Sequence, residues 1–219
     1  MAAAASSTFA AAIFVFTVAF LAAHHVVDGR NAVMAGDNSG HVDDLVAKAC
    51  ANASYYYSKK EMTREFCEST LRSDKRSAAA KVPRDLAVIA VDLLQRSAGD
   101  AVAKIAGYKK AKDEVVLELD YCLVDYNVLA QTIPLCRAAV QKYKGDGFSD
   151  MLELDYFNCA DRLMGAAKDC WMDIDALIEY GGMTKDVWGQ VKEASHRATL
   201  VKAMVEQMIG ETDSRDHNN

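Results

Sequence analysis

The sequence predicts an all-α protein, an up-down-up-down four-helix bundle preceded by a disulfide-stapled N-terminal helical hairpin. Three observations carry that expectation. The chain has only two prolines, and its twelve glycines gather at a few boundaries. Between those boundaries lie long stretches rich in Ala, Leu, Val, Lys and Glu, mostly good helix formers. Within each stretch apolar residues recur at steps of three and four, the period of one buried helix face.

The first segment reads as a leader. Thr8 to Ala23 is almost wholly apolar, and no Asp, Glu, Lys or Arg precedes Asp28. The run is short for a membrane span and has the length of a signal-peptide core, rather than of an uncleaved anchor. We expect a signal peptide over 1–29, with cleavage between 23 and 35, and no membrane contact in the mature form. About 190 residues remain, enough for one domain with a core. The net charge of −6 argues against nucleic acid as a partner.

The next segment, 41–71, holds two short helical patterns and a loop that Cys50 and Cys67 can close. It is too small to bury a core alone, so it should be a stapled extension of a larger bundle. That bundle is expected over 83–210. Pro83 suits a first helical turn, with Asp85 at the positive end of the helix dipole. The stripe Leu86, Ile89, Ala90, Leu93, Leu94, Ser97, Ala101 and Ile105 comes next, and the helix should end near Gly107. The second helix, about 112–144, carries Leu119, Cys122, Tyr126, Leu129, Ile133, Cys136, Val140 and Tyr143 in unbroken heptad rhythm. Pro134 should kink it at the Ala130 carbonyl. The third, about 150–179, repeats the rhythm with Leu152, Tyr156, Cys159, Leu163, Ala166 and Cys170. The fourth, about 184–209, does so with Val187, Val191, Ala194, Ala198, Val201, Val205 and Met208. A disordered tail is expected over 211–219.

Six cysteines in a chain with a secretion leader point to disulfides rather than to a zinc or redox site. If the second and third bundle helices are antiparallel, Cys122 and Cys170 each lie 24 residues from Asp146 in the turn. They then stand at one level of the bundle and both face the core. Cys136 and Cys159 are offset by roughly 4.5 Å along the axis, near the limit of disulfide reach. Spacing leaves them either bonded or as two buried thiols. The swapped pair Cys122–Cys159 would be offset by roughly 16 Å and is excluded.

Charge is uneven. Lys59 to Arg84 holds eight basic and four acidic residues, and Asp146 to Glu179 nine acidic and two basic. Solvated helix faces are the plain reading of both runs, and the acidic one could also steer a basic partner surface.

Several local segments carry a family resemblance. They are Leu45-Val-Ala-Lys-Ala-Cys50, Phe66-Cys67-Glu-Ser-Thr-Leu71, Ser73-Asp-Lys-Arg-Ser-Ala78 with Leu86-Ala-Val-Ile-Ala-Val-Asp92, and Ala166-Ala-Lys-Asp-Cys170. Together they resemble the plant invertase and pectin methylesterase inhibitor family over about 43–210, and the stretch from Ser73 looks especially like cell-wall and vacuolar invertase inhibitors. The resemblance implies a secreted protein that blocks a plant acid invertase. A pectin methylesterase inhibitor is the alternative, and a structural or storage bundle without an enzyme target is the third reading. It also implies a site at the turn between the second and third bundle helices. Invertase inhibitors can carry Lys-Gly-Asp-Pro-Lys-Phe there, whereas this chain has Lys144-Gly-Asp-Gly-Phe148. Lys144, Asp146 and Phe148 are therefore the target-binding candidates. Gly147 stands in place of Pro-Lys, so the turn is one residue shorter and lacks that cation. Phe148 either anchors the target or folds back onto the bundle end. Cys136, Cys159 and Pro134 depart from the family's basic four-cysteine pattern. The expected location is the apoplast or cell wall, with the vacuole as alternative, and the expected state a monomer or weak dimer.

Nothing else in the chain reads as catalytic or as a cofactor site. Glu193-Ala-Ser-His196 is a single Glu-x-x-His on a helix, where a di-iron bundle needs two copies and two further carboxylates. It reads as a solvated face. Asn52-Ala-Ser54 is an N-glycosylation sequon. Tyr55, Tyr56 and Tyr57 read as packing of the hairpin rather than a sugar site.

Overall fold

The computed structural model describes residues 44–58, 61–112, 117–144, 150–179 and 184–216. They form six α-helices and no strand: α1 Leu45–Tyr56, α2 Arg64–Arg72, α3 Pro83–Lys112, α4 Leu117–Lys142, α5 Asp150–Glu179 and α6 Lys185–Asp216. The expected leader lies outside the described residues.

Local chemistry starts each element of the hairpin. The Asp44 carboxylate accepts from the amides of Val46 and Ala47 and caps α1. Arg72, in the last turn of α2, also pairs with Asp44, so the start of α1 is tied to the end of α2. Thr63 Oγ1 caps α2 by accepting from Phe66 N at 3.1 Å. The Cys50–Cys67 disulfide crosses the two helices with Cα atoms 5.5 Å apart. The apolar face of the pair, Val46, Ala49, Met62 and Leu71, belongs to the same buried cluster as the bundle core. Burial against α3 and α6 supplies what so short a hairpin cannot supply for itself. Polar bonds add to this: Tyr57 Oη donates to Glu206 at 2.6 Å, and Gln207 Nε2 to the Ala49 carbonyl at 2.9 Å.

In the bundle, α3 packs on α4 and α6, and α5 on α4 and α6, closing a ring of four. The core stripes of α3, α4 and α6 fall where the periodicity places them. Leu119, Cys122, Tyr126, Leu129, Ile133, Cys136 and Val140 of α4 are all buried, as are all seven stripe residues of α6. On α5 the stripe is shifted: Ala160, Leu163, Ala167, Cys170 and Ile174 are buried, whereas Tyr156, Cys159 and Ala166 are only partly covered. The neighbours Cys159 and Ala160, like Ala166 and Ala167, share a boundary of the stripe, and packing selects between them.

Helix ends differ from expectation in two places. α3 passes Gly107 and runs on to Lys112. One glycine costs about 1 kcal/mol in a helix, and Tyr108 on the core and the Lys109–Asp120 ion pair lie beyond it to offset that cost. α6 continues through 211–216, where the polar sequence predicts a disordered tail. No proline follows Gly210, and each further residue adds a backbone hydrogen bond to a helix already nucleated. α4 runs unbroken across Pro134.

Candidate interaction surface

The tip between α4 and α5 is the surface the sequence points to. Lys144 is exposed just past the end of α4. Asp146 and Phe148 lie outside the described residues. The root of the tip is well defined. Tyr143 meets Tyr156 of α5 edge-to-face, with ring centroids 5.3 Å apart. Arg84 Nη1, from the first turn of α3, donates to the Tyr143 carbonyl at 3.0 Å. One heptad before Tyr143 stands Cys136, joined to Cys159 with Cα atoms 5.5 Å apart. Two heptads further back, Cys122 is joined to Cys170 with Cα atoms 4.4 Å apart. The structure thus brings together all three cysteine pairs, and two of them clamp α4 to α5 beneath the tip. Between these two bridges α4 advances fourteen residues (136 − 122) and α5 eleven (170 − 159). Both steps return a side chain to the same helix face at about 3.6 residues per turn.

Beside the root, Arg76, Ala80, Arg84, Val88 and Gln141 line an open groove of about 490 Å³. Arg76 in its wall belongs to a charge network. Asp74 caps a 3-10 turn, Lys75–Ala79, and accepts from the Arg76 amide. Its carboxylate also takes Arg76 Nε and Nη2 at 2.9 and 2.8 Å and Arg96 Nη2 at 3.2 Å. Arg76 Nη1 reaches on to Asp92 at 2.7 Å, and Arg137 Nε of α4 meets the same carboxylate at 2.6 Å. Hydrogen bonds from Arg76 hold Asp74 well below the usual carboxylate range. Burial alone would raise Asp92, but its bonds from Arg137 and Arg76 prevail and lower it. Ser77 Oγ donates to the Leu71 carbonyl from a buried position. The Ser73–Ala78 segment therefore locks hairpin, α3 and α4 together. Much of the basic run is spent in such pairs rather than offered to a ligand, Arg64 with Glu68 and Arg72 with Asp44 included.

A second surface went unread in the sequence. Leu117, Tyr121, Val124, Val128 and Leu135 are each at least 45% exposed. Their spacing puts them on one side of α4, away from its core stripe, along about 27 Å of helix. The signal was there as a second apolar period on the same helix. Asp125 flanks it, with Asp169, exposed Met172 and Asp173 on α5. Burial raises Asp125 and Asp173, and repulsion among these carboxylates, from Asp169 above all, raises them further.

The remaining singled-out residues fall elsewhere. His196 is not on a solvated face. Its ring lies edge-on to Phe66 at 5.4 Å and to Trp171 at 6.0 Å, joining hairpin to bundle. Burial, helped by Lys192, lowers its pKa. Glu193 pairs with Arg197. Among the described residues no group of three His, Cys, Asp or Glu side chains could hold a metal. None of the described helices is long and apolar enough to cross a membrane. Asn52 is exposed on α1. Of the three tyrosines only Tyr57 packs against the core, whereas Tyr55 and Tyr56 are 83% and 79% exposed.

The family model of the plant invertase/pectin methylesterase inhibitors matches residues 44–208, from the α1 cap to the last core residues of α6. The chain belongs to this family. A search of the curated proteins finds no match. Membership of the inhibitor family supports a proteinaceous inhibitor whose partner is an invertase or a pectin methylesterase, and it leaves the choice between them open.

Proposed function

We propose that the protein is a secreted inhibitor of a plant acid invertase, acting through Lys144, Asp146 and Phe148 at the α4–α5 tip. The observation that supports this most is the rigid root of that tip. An inhibitor on this scaffold needs no catalytic group. It needs a surface that enters or covers a cleft without a large ordering cost. The Cys136–Cys159 bridge, the Tyr143–Tyr156 contact and the bond from Arg84 all restrain the base of the segment that carries Phe148. An aromatic side chain on so fixed a base is the kind of residue that carries binding energy. The apoplast or cell wall is the location in keeping with this activity and with the leader, and the vacuole is the alternative. Phe148→Ala should weaken invertase inhibition at least tenfold and leave thermal stability unchanged. Unaltered inhibition removes the tip from the mechanism.

A second reading, inhibition of a pectin methylesterase, rests on the other surface. The tip is short and lacks the cation that invertase inhibitors of this family can carry. A standard protein interface covers about 800 Å² on each partner. The α4 stripe with its acidic flank offers an extended helix face that could lie across a basic-rimmed cleft. Val128→Glu should abolish inhibition under this reading and spare it under the first.

A further inference from the structure

We propose that Asn52 carries an N-linked glycan whose first sugars lie on the Tyr55–Tyr56 face of α1 and cover the groove between α1 and α6. Asn52 opens the sequon Asn52-Ala-Ser54, and its side chain is exposed. Tyr55 and Tyr56 stand three and four positions later, so all three share one helix face. Helical side chains lean toward the N-terminus, which directs both rings back over the turn that holds Asn52. The rings contact one another edge-on at 5.2 Å while remaining 83% and 79% exposed. Exposed to this degree, both rings present apolar faces to a partner. Next to it runs a groove of about 700 Å³ lined by Asn52, Tyr56, Tyr57, Lys202, Glu206 and Gln207.

That lining suits a sugar. A pyranose has an apolar face that packs on an aromatic ring and hydroxyls that both donate and accept. Tyr56 offers the ring. Each polar group is partly engaged and keeps capacity for a sugar hydroxyl. Lys202 pairs with Asp161 at 2.6 Å and has further N–H donors, Glu206 accepts from Tyr57 and has a second carboxylate oxygen, and Gln207, whose Nε2 donates to the Ala49 carbonyl, has its side-chain carbonyl. The occupant is tethered at the groove edge, so it enters without the translational cost a free ligand bears. The modification joins Asn52 Nδ2 to C1 of the first sugar. It breaks the C1–O bond of a lipid-pyrophosphate oligosaccharide donor, the lipid pyrophosphate leaves, and the amide loses one proton. Asn52 precedes Cys67 by fifteen residues, so the sequon leaves the ribosome before the disulfide can close over it.

The proposal rests on entry into the secretory pathway, and the test reads that step separately. The full chain is expressed in plant cells and collected from the medium. Intact mass is measured before and after enzymatic deglycosylation for the wild type, Asn52→Gln and Ser54→Ala. Tetranitromethane then probes Tyr55 and Tyr56 by peptide mapping. The expected result is one glycan on the wild type, absent from both variants, with Tyr55 and Tyr56 nitrated several-fold faster in the variants and after deglycosylation. A secreted wild-type chain with bare Asn52 overturns the proposal, and so does a glycosylated chain with equal nitration rates. Retention of the chain inside the cell overturns the secretory route itself.

Discussion

Removing the Cys136–Cys159 bridge tests the mechanical basis of the tip. In the double variant Cys136→Ala, Cys159→Ala the folded state loses little volume, because both positions already hold small side chains. The unfolded state gains freedom. For the sequence separation of 23 residues, loop-closure entropy is worth about 3.4 kcal/mol at 25 °C. This loop is nested inside the one closed by Cys122–Cys170, with its separation of 48, so the unfolded chain is already confined. The expected loss is then about 2–3 kcal/mol. For a domain of this size each 1 kcal/mol moves Tm by about 2–4 °C, which gives a fall of roughly 4–12 °C. Calorimetric melts of the oxidised wild type and the variant measure it. Inhibition should weaken as well, at temperatures where both are folded, because the root of the tip has lost a restraint and binding must order it. A Tm within 1 °C of wild type (~1 °C being about 0.3–0.5 kcal/mol), or two free thiols in the denatured, unreduced wild type, would refute the reasoning.

Three other perturbations have defined outcomes. Asp74→Asn should cost about 1.5–3 kcal/mol in urea unfolding, the range for hydrogen bonds to a charged group, since Arg76 and Arg96 lose their shared carboxylate. Because Asp74 is held low, its contribution is full above the ordinary carboxylate pKa and disappears as pH falls through its depressed native value. His196 behaves in another window. Its native pKa lies below the ordinary 6.5, so the unfolded chain binds the proton first. Stability is full above pH 6.5 and falls as pH drops toward the native pKa. His196→Phe should flatten that slope in melts between pH 7 and 5, and an unchanged slope would exclude His196 as its source. Asp125 and Asp173 carry raised values, so their repulsion should ease as pH falls. Asp169→Asn should stabilise the fold at pH 7 by a few tenths of a kcal/mol up to about 1 kcal/mol, read as a higher urea midpoint.

Much of the fold could be read from the chain because helix periodicity is a local signal. The stripes of α4 and α6 needed only residues within one helix, and the level of Cys122 with Cys170 needed only the rise per residue and a turn at Asp146. What could not be read depends on residues far apart. The Ser73–Ala78 segment stood out by resemblance, yet its role as a charge lock involves Asp92, 16 residues from Arg76, and Arg137, 45 residues beyond Asp92. His196 looked solvated because neither Phe66 nor Trp171 is its neighbour in sequence. Tyr55 and Tyr56 looked like packing residues because composition favours burying tyrosine. Helix α1 turns them outward, and only Tyr57 reaches Glu206. The second stripe on α4 was hidden by the first: once one apolar face explains a helix, a second is easily taken for background.

Inhibition of an invertase through the α4–α5 tip is tested most directly by one comparison, the purified, oxidised chain assayed in parallel against a plant acid invertase and a plant pectin methylesterase at the same acidic pH. The expected result is saturable inhibition of the invertase that Phe148→Ala weakens and Val128→Glu does not. Inhibition of the methylesterase alone, or of neither enzyme, would contradict it.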